Sequence, residues 1–160
     1  MSFYMEVTGF DELFAKMQKL PDKAADAAAL GLYEGAAIIA DAVSNAVQGI
    51  ATEEFHYTKF GRRLPSPEEK AVLMGAKRGV AKFNKNRSRV DTSVGMQNAG
   101  YGSINGKQKP IPQIANAINS GTSFMKAQPF FRQAVETSTG AAAGAIEGGI
   151  YSRLDMLSLD

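Results

Sequence analysis

The sequence has no cysteine and no tryptophan, and it has a single histidine, His56, among its 160 residues. The absence of cysteine excludes disulfide bonds and thiolate metal sites. Histidine-based zinc or iron sites use several imidazoles, or imidazole together with carboxylates. One histidine therefore predicts no metal site, and we interpret His56 as structural and expect no cofactor.

Long apolar runs are also missing. No stretch approaches the roughly 18 uncharged apolar residues that a membrane span needs, and residues 1–7 lack the basic start and apolar core of a secretory signal. Charged residues make up 21 % and apolar residues 44 %, which is the composition of a globular protein. The sequence predicts a soluble, cytoplasmically made protein with one domain over residues 1–160, in which residues 138–160 form a helical extension.

The net charge of +2 conceals an asymmetry along the chain. Residues 53–109 hold 12 Lys/Arg and 5 Asp/Glu, whereas the two ends together hold 6 and 11. Six of the basic residues fall within 13 positions that contain no acid: Lys77, Arg78, Lys82, Lys85, Arg87 and Arg89. Such a cluster is typical of a surface for nucleic acid or for an acidic protein, and equally of a solvated hairpin.

The N-terminal third predicts a strand and two helices. Residues 3–7 are rich in strand formers. Apolar residues at three- and four-residue steps then predict an amphipathic helix over residues 10–20, closed by Pro21. A longer helix is expected from about Asp22 to Gln48, ended by Gly49. Its apolar seam is alanine-rich at the start, so a partner backbone could approach closely there; the seam comprises Ala25, Ala29, Leu32, Ala36, Ile39, Val43, Ala46 and Ile50.

The middle of the chain shows shorter elements. Residues 51–65 have no clean period and predict a loop. Ser66 and Pro67, followed by Glu69, are a strong helix start, and the helix should run to about Arg78. Alternation over residues 80–85 and 90–96 predicts a hairpin with one apolar and one basic face. The polar composition of residues 97–109 predicts an exposed, mobile loop.

The C-terminal third predicts two helices and completes the fold class. A helix of two to three turns should follow residues 110–112 and lead to Gly121. The last helix should begin at Pro129 and run to about Leu157, broken or bent in its middle. Three glycines four residues apart, at positions 140, 144 and 148, would need close helix packing to offset their low helix propensity. Altogether we expect an α+β fold: a small antiparallel sheet, made of the N-terminal strand and the central hairpin, packed by the alanine-rich helix and the C-terminal helix.

Catalytic patterns are weak in this sequence. Residues 95–106 are glycine-rich, but Gly106 and Lys107 are followed by Gln108 rather than by the Ser/Thr of a phosphate-binding loop. The adjacent acids at 53–54 and 68–69 do not face each other on a helix. We therefore expect no catalytic residue. One binding alternative remains, because aromatic residues between positions 55 and 60 alternate with Lys59, Arg62 and Arg63, as in single-strand binders.

The most informative stretch is residues 118–135. Gly121 and Thr122 end one element in a tight turn, and Pro129 opens the next helix at a position where a helix tolerates proline. Phe130 and Phe131 then place two aromatic side chains in the first turn of that helix. These two side chains could contact either the core of the chain or a neighbouring subunit.

This stretch resembles the "GTS-x-x-x-x-PF-x-x-x-A" motif of a family of small bacteriophage tail-completion proteins. The family is named after the tenth gene product of a lambdoid phage and is related to minor tail protein Z. Other segments are similar to it in the same order: 9–13, similar to "G-[LF]-D-E-L", then 34–36, 64–70 and 75–76. Many members also carry "V-D-T-G-x-L", where this chain has Val90-Asp91-Thr92-Ser93-Val94.

The resemblance implies a non-enzymatic virion protein of the head–tail junction that assembles as a ring, with six-fold or twelve-fold symmetry left open. Its implied partners are further copies of itself, the head-closure protein, the tail terminator and the tail tube, with a passing contact to packaged DNA and no membrane. We expect eight residues at the subunit interface: Lys82, Lys85, Arg87, Arg89, Phe124, Pro129, Phe130 and Phe131. The alternative is a small basic nucleic-acid-binding protein that uses the hairpin over residues 77–89.

Overall fold

The computed structural model describes residues 2–4, 23–54, 61–76, 79–80, 84–86, 89–91, 93–96 and 99–157. The elements in chain order are β1 (Ser2–Tyr4), α1 (Lys23–Gln48), α2 (Pro67–Gly75), β2 (Gly79–Val80), β3 (Asn84–Asn86), β4 (Arg89–Asp91), β5 (Ser93–Gly95), β6 (Tyr101–Ile104), β7 (Lys107–Pro110), α3 (Ile111–Ser120) and α4 (Phe130–Leu157). The α+β class is confirmed. The helix predicted over residues 10–20 lies outside the described residues, as does His56.

Two long antiparallel helices, α1 and α4, form the main packing unit, and glycines on α1 allow their backbones to approach closely. A side chain at Gly31 would place its Cβ 2.8 Å from Ile150 Cγ1 and 3.0 Å from the Ile146 carbonyl oxygen. One at Gly35 would collide with Ile146. Gly149 of α4 faces Gly31 across the same contact. Because glycine has no side chain, these positions let the two helix backbones pack directly against each other.

Close packing was predicted for the three glycines of the last helix that lie four residues apart, and this prediction was wrong. Gly140, Gly144 and Gly148 lie on the exposed side of α4, and a Cβ at any of them would meet open space. The helix is nevertheless continuous from Phe130 to Leu157, so the predicted break is not present. The close contact is instead made by Gly31 and Gly35, which lie four residues apart on α1.

The strands of the described chain form three small antiparallel sheets. In the three-stranded sheet, β5 lies between β1 and β2, with Phe3 opposite Val94 and Val80 opposite Val94 on the other side. The predicted central hairpin is present, since β3 pairs with β4 and β2 pairs with β5. From the Val80–Val94 pair to the Asn84–Asp91 pair, the first half of the hairpin is four residues long and the second half is three residues long.

Residues 97–109 were expected to be a mobile loop, and this prediction was wrong. Here β6 and β7 form a hairpin joined by Asn105 and Gly106, both with positive φ, 51° and 72°. Two central residues with positive φ define the tight turn whose twist matches paired strands, and Asn-Gly is its favoured sequence. The hairpin lies on α2, because Gly102 abuts Val72 and the Asn105 amide donates to the Glu68 carboxylate.

The short helix α2 begins as predicted and ends earlier. The Ser66 side chain accepts from the Glu69 amide, and the Glu69 carboxylate accepts from the Ser66 amide, which is a complete capping box. The helix ends at Gly75 rather than near Arg78. Lys70 Nζ donates to the carbonyl oxygens of Gln48 and Ile50, so a cation on α2 caps the C-terminus of α1.

The core lies between α1, α4, α2, α3 and the strands. Its buried members follow the predicted seam of α1 and continue through the apolar faces of the shorter elements. They include Ala36, Ile39, Val43, Val47, Leu73, Ile104, Ile114, Ile118, Met125, Phe130 and Phe131. Among the described residues one helical segment, Asp26–Gln48, is long and apolar enough to span a membrane by length and composition, and part of it is buried inside the protein. That segment is the core helix α1.

Candidate functional site: the Phe124 loop

The segment between α3 and α4, residues 121–129, is the most distinctive surface of the described chain, and we refer to it as the Phe124 loop. It begins where Gly121 ends α3 with φ of 75°. A Cβ at Gly121 would lie 2.9 Å from the Ala127 amide nitrogen. Both the backbone angle and the close approach therefore require glycine, and the predicted helix end at Gly121 is confirmed.

Thr122 organises the turn that carries Phe124. Its Oγ1 accepts hydrogen bonds from the amides of Phe124 and Met125, at 3.2 and 3.1 Å. The Thr122 amide also donates to the Met125 carbonyl oxygen at 3.0 Å. A threonine hydroxyl that satisfies two amides holds a turn in one conformation. The turn buries Met125 at 4 % exposure and leaves Phe124 77 % exposed.

A neighbouring segment fixes the Phe124 loop from the side. The Arg63 amide donates to the Phe124 carbonyl oxygen at 2.8 Å, and the Lys126 amide donates to the Arg63 carbonyl oxygen at 2.9 Å. These two bonds form a parallel bridge between Arg63 and Met125. Because the bridge satisfies the Phe124 carbonyl oxygen and Thr122 Oγ1 satisfies the Phe124 amide, this side chain projects from an ordered backbone.

The Arg63 side chain connects this bridge to α2. Its guanidinium donates to both carboxylate oxygens of Glu69, at 2.7 and 2.8 Å. Glu69 is 5 % exposed. Burial opposes ionisation of Glu69, but the hydrogen bonds from Arg63 and Ser66 outweigh it, so the pKa of Glu69 lies below its usual value. The same pairing raises the pKa of Arg63. Glu69 therefore caps α2 and holds Arg63 in place at the same time.

The end of the Phe124 loop is held by two amide side chains. Gln128 Nε2 donates to the Ala51 carbonyl oxygen at 2.8 Å, and Gln128 Oε1 accepts from the Ala51 amide at 2.9 Å. Asn119 Oδ1 accepts from the Phe131 amide at the start of α4. These bonds satisfy amide donors that a helix start and a loop would otherwise leave unpaired. The loop is thus fixed at its start, middle and end.

The aromatic pair at the start of α4 belongs to the core. Phe130 and Phe131 are 4 % and 3 % exposed, and their rings meet edge to face with centroids 6.5 Å apart. A side chain buried within its own chain has no surface left for a neighbouring subunit, so we correct their predicted interface role to a core role. Pro129 is half-buried and precedes the first residue of α4. Of the four apolar interface candidates, Phe124 alone is exposed.

The basic interface candidates lie on or beside the central hairpin. Lys85 in β3 is opposite Val90, and Arg89 in β4 is opposite Asn86. Lys82 and Arg87 lie outside the described residues, and so do the aromatic residues at positions 55, 57 and 60. The interface role of the four basic residues stays a prediction.

Two features of the site were not predicted from the sequence. The first is the Arg63–Glu69 pair, six residues apart across a loop, where neither residue lies in a periodic pattern. The second is the exposure of Phe124, which depends on how Thr122 and Arg63 hold the turn. Among the described residues no group of three or more His, Cys, Asp or Glu is placed to hold a metal ion.

Comparisons of this chain with protein-family models, curated proteins and solved structures returned no match.

Proposed function

We propose that this chain is a structural subunit of a bacteriophage head–tail junction, in which copies join into a ring at the tail-completion or neck position. The observation that carries the proposal is the Phe124 loop, which holds a large apolar side chain in solvent on an ordered backbone. Exposed aromatic side chains on preorganised segments are typical of protein interfaces, because little conformational entropy is lost when they bind. The same loop lies within residues 118–135, on which the resemblance to tail-completion proteins chiefly rests.

In this proposal the chain acts through contacts alone. Its partners are further copies of itself and the adjoining head-closure, tail-terminator and tail-tube proteins, and its location is the virion. The separation of charge along the sequence favours contacts between unlike surfaces of successive subunits, since complementary potentials steer association and set its register. Such heterologous contacts are the kind that close into rings.

The alternative, a nucleic-acid-binding protein, is favoured by one observation. The basic residues between positions 77 and 89 fall on a segment whose strands pair as a hairpin, and a two-stranded ribbon is a known means of presenting cations to phosphates. The two functions differ in salt dependence. Phosphate binding weakens steeply as salt rises, whereas the apolar part of the proposed contact between subunits does not.

The test combines electron microscopy of the purified chain with a titration of labelled duplex and single-stranded DNA at low and high salt. The proposal expects closed rings of uniform diameter and little binding to DNA. Tight binding to both DNA forms that disappears at high salt, together with particles that never close, would overturn it in favour of the alternative.

A further inference from the structure

We propose that strand β6 pairs with β6 of a second copy of this chain, antiparallel and about a two-fold axis at Gly102. The surface is the outer edge of β6, on the side away from β7, and the partner is an identical edge. The inference goes beyond the proposed function, because a two-fold contact closes as a dimer by itself and adds to the head-to-tail contacts of a ring.

The outer edge of β6 carries backbone groups that lack a hydrogen-bond partner. Hydrogen-bonded and non-hydrogen-bonded pairs alternate along an antiparallel ladder, and the Ile111 amide donates to the Gly100 carbonyl oxygen at the open end of the β6–β7 hairpin. Tyr101 and Ser103 therefore belong to non-hydrogen-bonded pairs, and their N–H and C=O groups point away from β7. Within the part of the chain that the structure describes, these groups make no other hydrogen bond.

The two strands of the hairpin differ in how well their outer edges are protected against pairing. β7 carries Lys107 and Lys109 and ends at Pro110, and lysine and proline are residues that keep an edge strand from pairing. β6 carries neither a charged residue nor a proline. Glu68 accepts from the Asn105 amide at the turn, so in an antiparallel pair the two copies of this acid lie at opposite ends. Two β6 edges can therefore meet without repulsion between like charges.

An antiparallel pair centred on Gly102 satisfies all of these backbone groups. In that register Tyr101 lies opposite Ser103 of the second copy, and Ser103 lies opposite Tyr101 of the second copy. Each opposed pair exchanges two hydrogen bonds, so four bonds form across the axis. Every outward N–H and C=O group of the two residues then has a partner. Because the edge is complementary to itself, the occupant that it fits is a second copy of this chain.

The side chains of β6 suit the same arrangement. Gly102 and Ile104 face inward and are buried, so Tyr101 and Ser103 lie on the outer face. Tyr101 is 71 % exposed. In the pair the two Tyr101 rings are diagonal neighbours, within reach of each other, and each would cover part of the other. Gly102 lies on the axis, where the Cα atoms of the two strands approach to about 4.5 Å, and a Cβ there would collide with Val72.

Disulfide cross-linking tests the register, and the sequence, which has no cysteine, gives it a clean background. Tyr101→Cys and Ser103→Cys are made as separate variants and are oxidised mildly, alone and as an equal mixture. Opposed residues have Cα atoms about 5.5 Å apart, within the range of a disulfide, so the mixture should form a covalent dimer with one copy of each variant. Each variant alone should form about tenfold less, because diagonal residues about 7–8 Å apart are too distant.

Two proline variants test the hydrogen bonds. Ser103→Pro removes an N–H that the hairpin itself does not use, so the fold should tolerate it, but two of the four bonds between copies are lost. Gln108→Pro is the matched control, because Gln108 lies opposite Ser103 and its N–H points away from β6. In sedimentation equilibrium, Ser103→Pro should self-associate about tenfold more weakly than Gln108→Pro. Thermal unfolding measures whether both variants fold.

Equal cross-linking in the mixture and in the single variants, or equal self-association of the two proline variants, would overturn the inference. If Ser103→Pro does not fold, the cross-linking result decides alone. Rings without selective cross-linking would leave the proposed function standing and overturn only this strand pairing. Selective cross-linking in a chain that forms no rings would support the pairing and contradict the proposed function.

Discussion

The α1–α4 helix pair and the Phe124 loop are both ordered, but by opposite means. In the helix pair, order depends on the lack of a side chain at Gly31 and Gly35, because this lets the two helix backbones touch. In the loop it depends on hydrogen bonds that no regular element provides, from the side chains of Thr122 and Gln128 and from the backbone of Arg63. An added side chain should therefore destabilise the helix pair, whereas loss of a charge or of a hydrogen bond should destabilise the loop region.

The largest effect is expected from Gly35→Val in the helix pair. The added side chain would collide with Ile146 and lie against the Ala142 carbonyl oxygen, 3.0 Å from a Cβ at this position. Overpacking a rigid contact between two helices should lower the free energy of unfolding by about 3 kcal/mol. Urea unfolding followed by circular dichroism measures this. A loss of unfolding free energy below about 1 kcal/mol would show that the helix pair accommodates the added side chain, and it would remove the contrast with the loop.

The next effect is expected from Glu69→Ala in the loop region. It leaves the guanidinium of Arg63 without its carboxylate and removes half of the capping box, so stability should fall by about 2 kcal/mol. Glu136→Ala is the control, because Arg132 and Glu136 also form an arginine–glutamate pair, through one hydrogen bond of 2.9 Å, but with both side chains more than half exposed. This variant should cost at most about 0.5 kcal/mol. Equal losses in the two variants, again by urea unfolding, would contradict a structural role for the buried pair.

The pH dependence of stability should separate the two regions further. The pKa of Glu69 in the folded chain lies below the ordinary value of 4.5, so its ionised form stabilises the fold fully above that value. This contribution is lost as pH falls through the lowered pKa. The stability difference between wild type and Glu69→Gln should therefore shrink below about pH 4.5. The difference between wild type and Gly35→Val should not change in this range, and unfolding midpoints at neutral and acidic pH measure both.

The smallest effect is a gain, expected from Gly144→Ala. Gly144 is exposed on α4 and a Cβ there meets open space, so alanine should stabilise the helix by about 1 kcal/mol through helix propensity alone. The measurement is the shift of the thermal midpoint. Its sign is opposite to that of Gly35→Val on the same helix pair, and a destabilised Gly144→Ala would mean that this outer face is covered by something that needs glycine.

Much of the fold could be predicted from local patterns, and little of the candidate site could. The periodicity of α1, the Ser66-Pro67 helix start and the Gly121 helix end each depend on neighbouring residues, and all three are confirmed. The β6–β7 hairpin could have been predicted too, because Asn105-Gly106 is a local turn signal that the polar composition obscured. The exposure of Phe124 depends on the bridge between Arg63 and Met125, residues about sixty positions apart, and no local pattern contains that information. Arg63 and Glu69 are only six residues apart, but they meet across a loop with no periodic pattern.

Sedimentation equilibrium of the wild-type chain beside Phe124→Ala tests self-association through the Phe124 loop most directly. We expect the wild type to reach a multiple of its 17.1 kDa mass, and the variant to need at least about tenfold higher concentration for the same degree of association. The thermal midpoints should be unchanged, since Phe124 is exposed. A wild type that stays at 17.1 kDa at every concentration, or a variant that associates as strongly as the wild type, would contradict this role for Phe124.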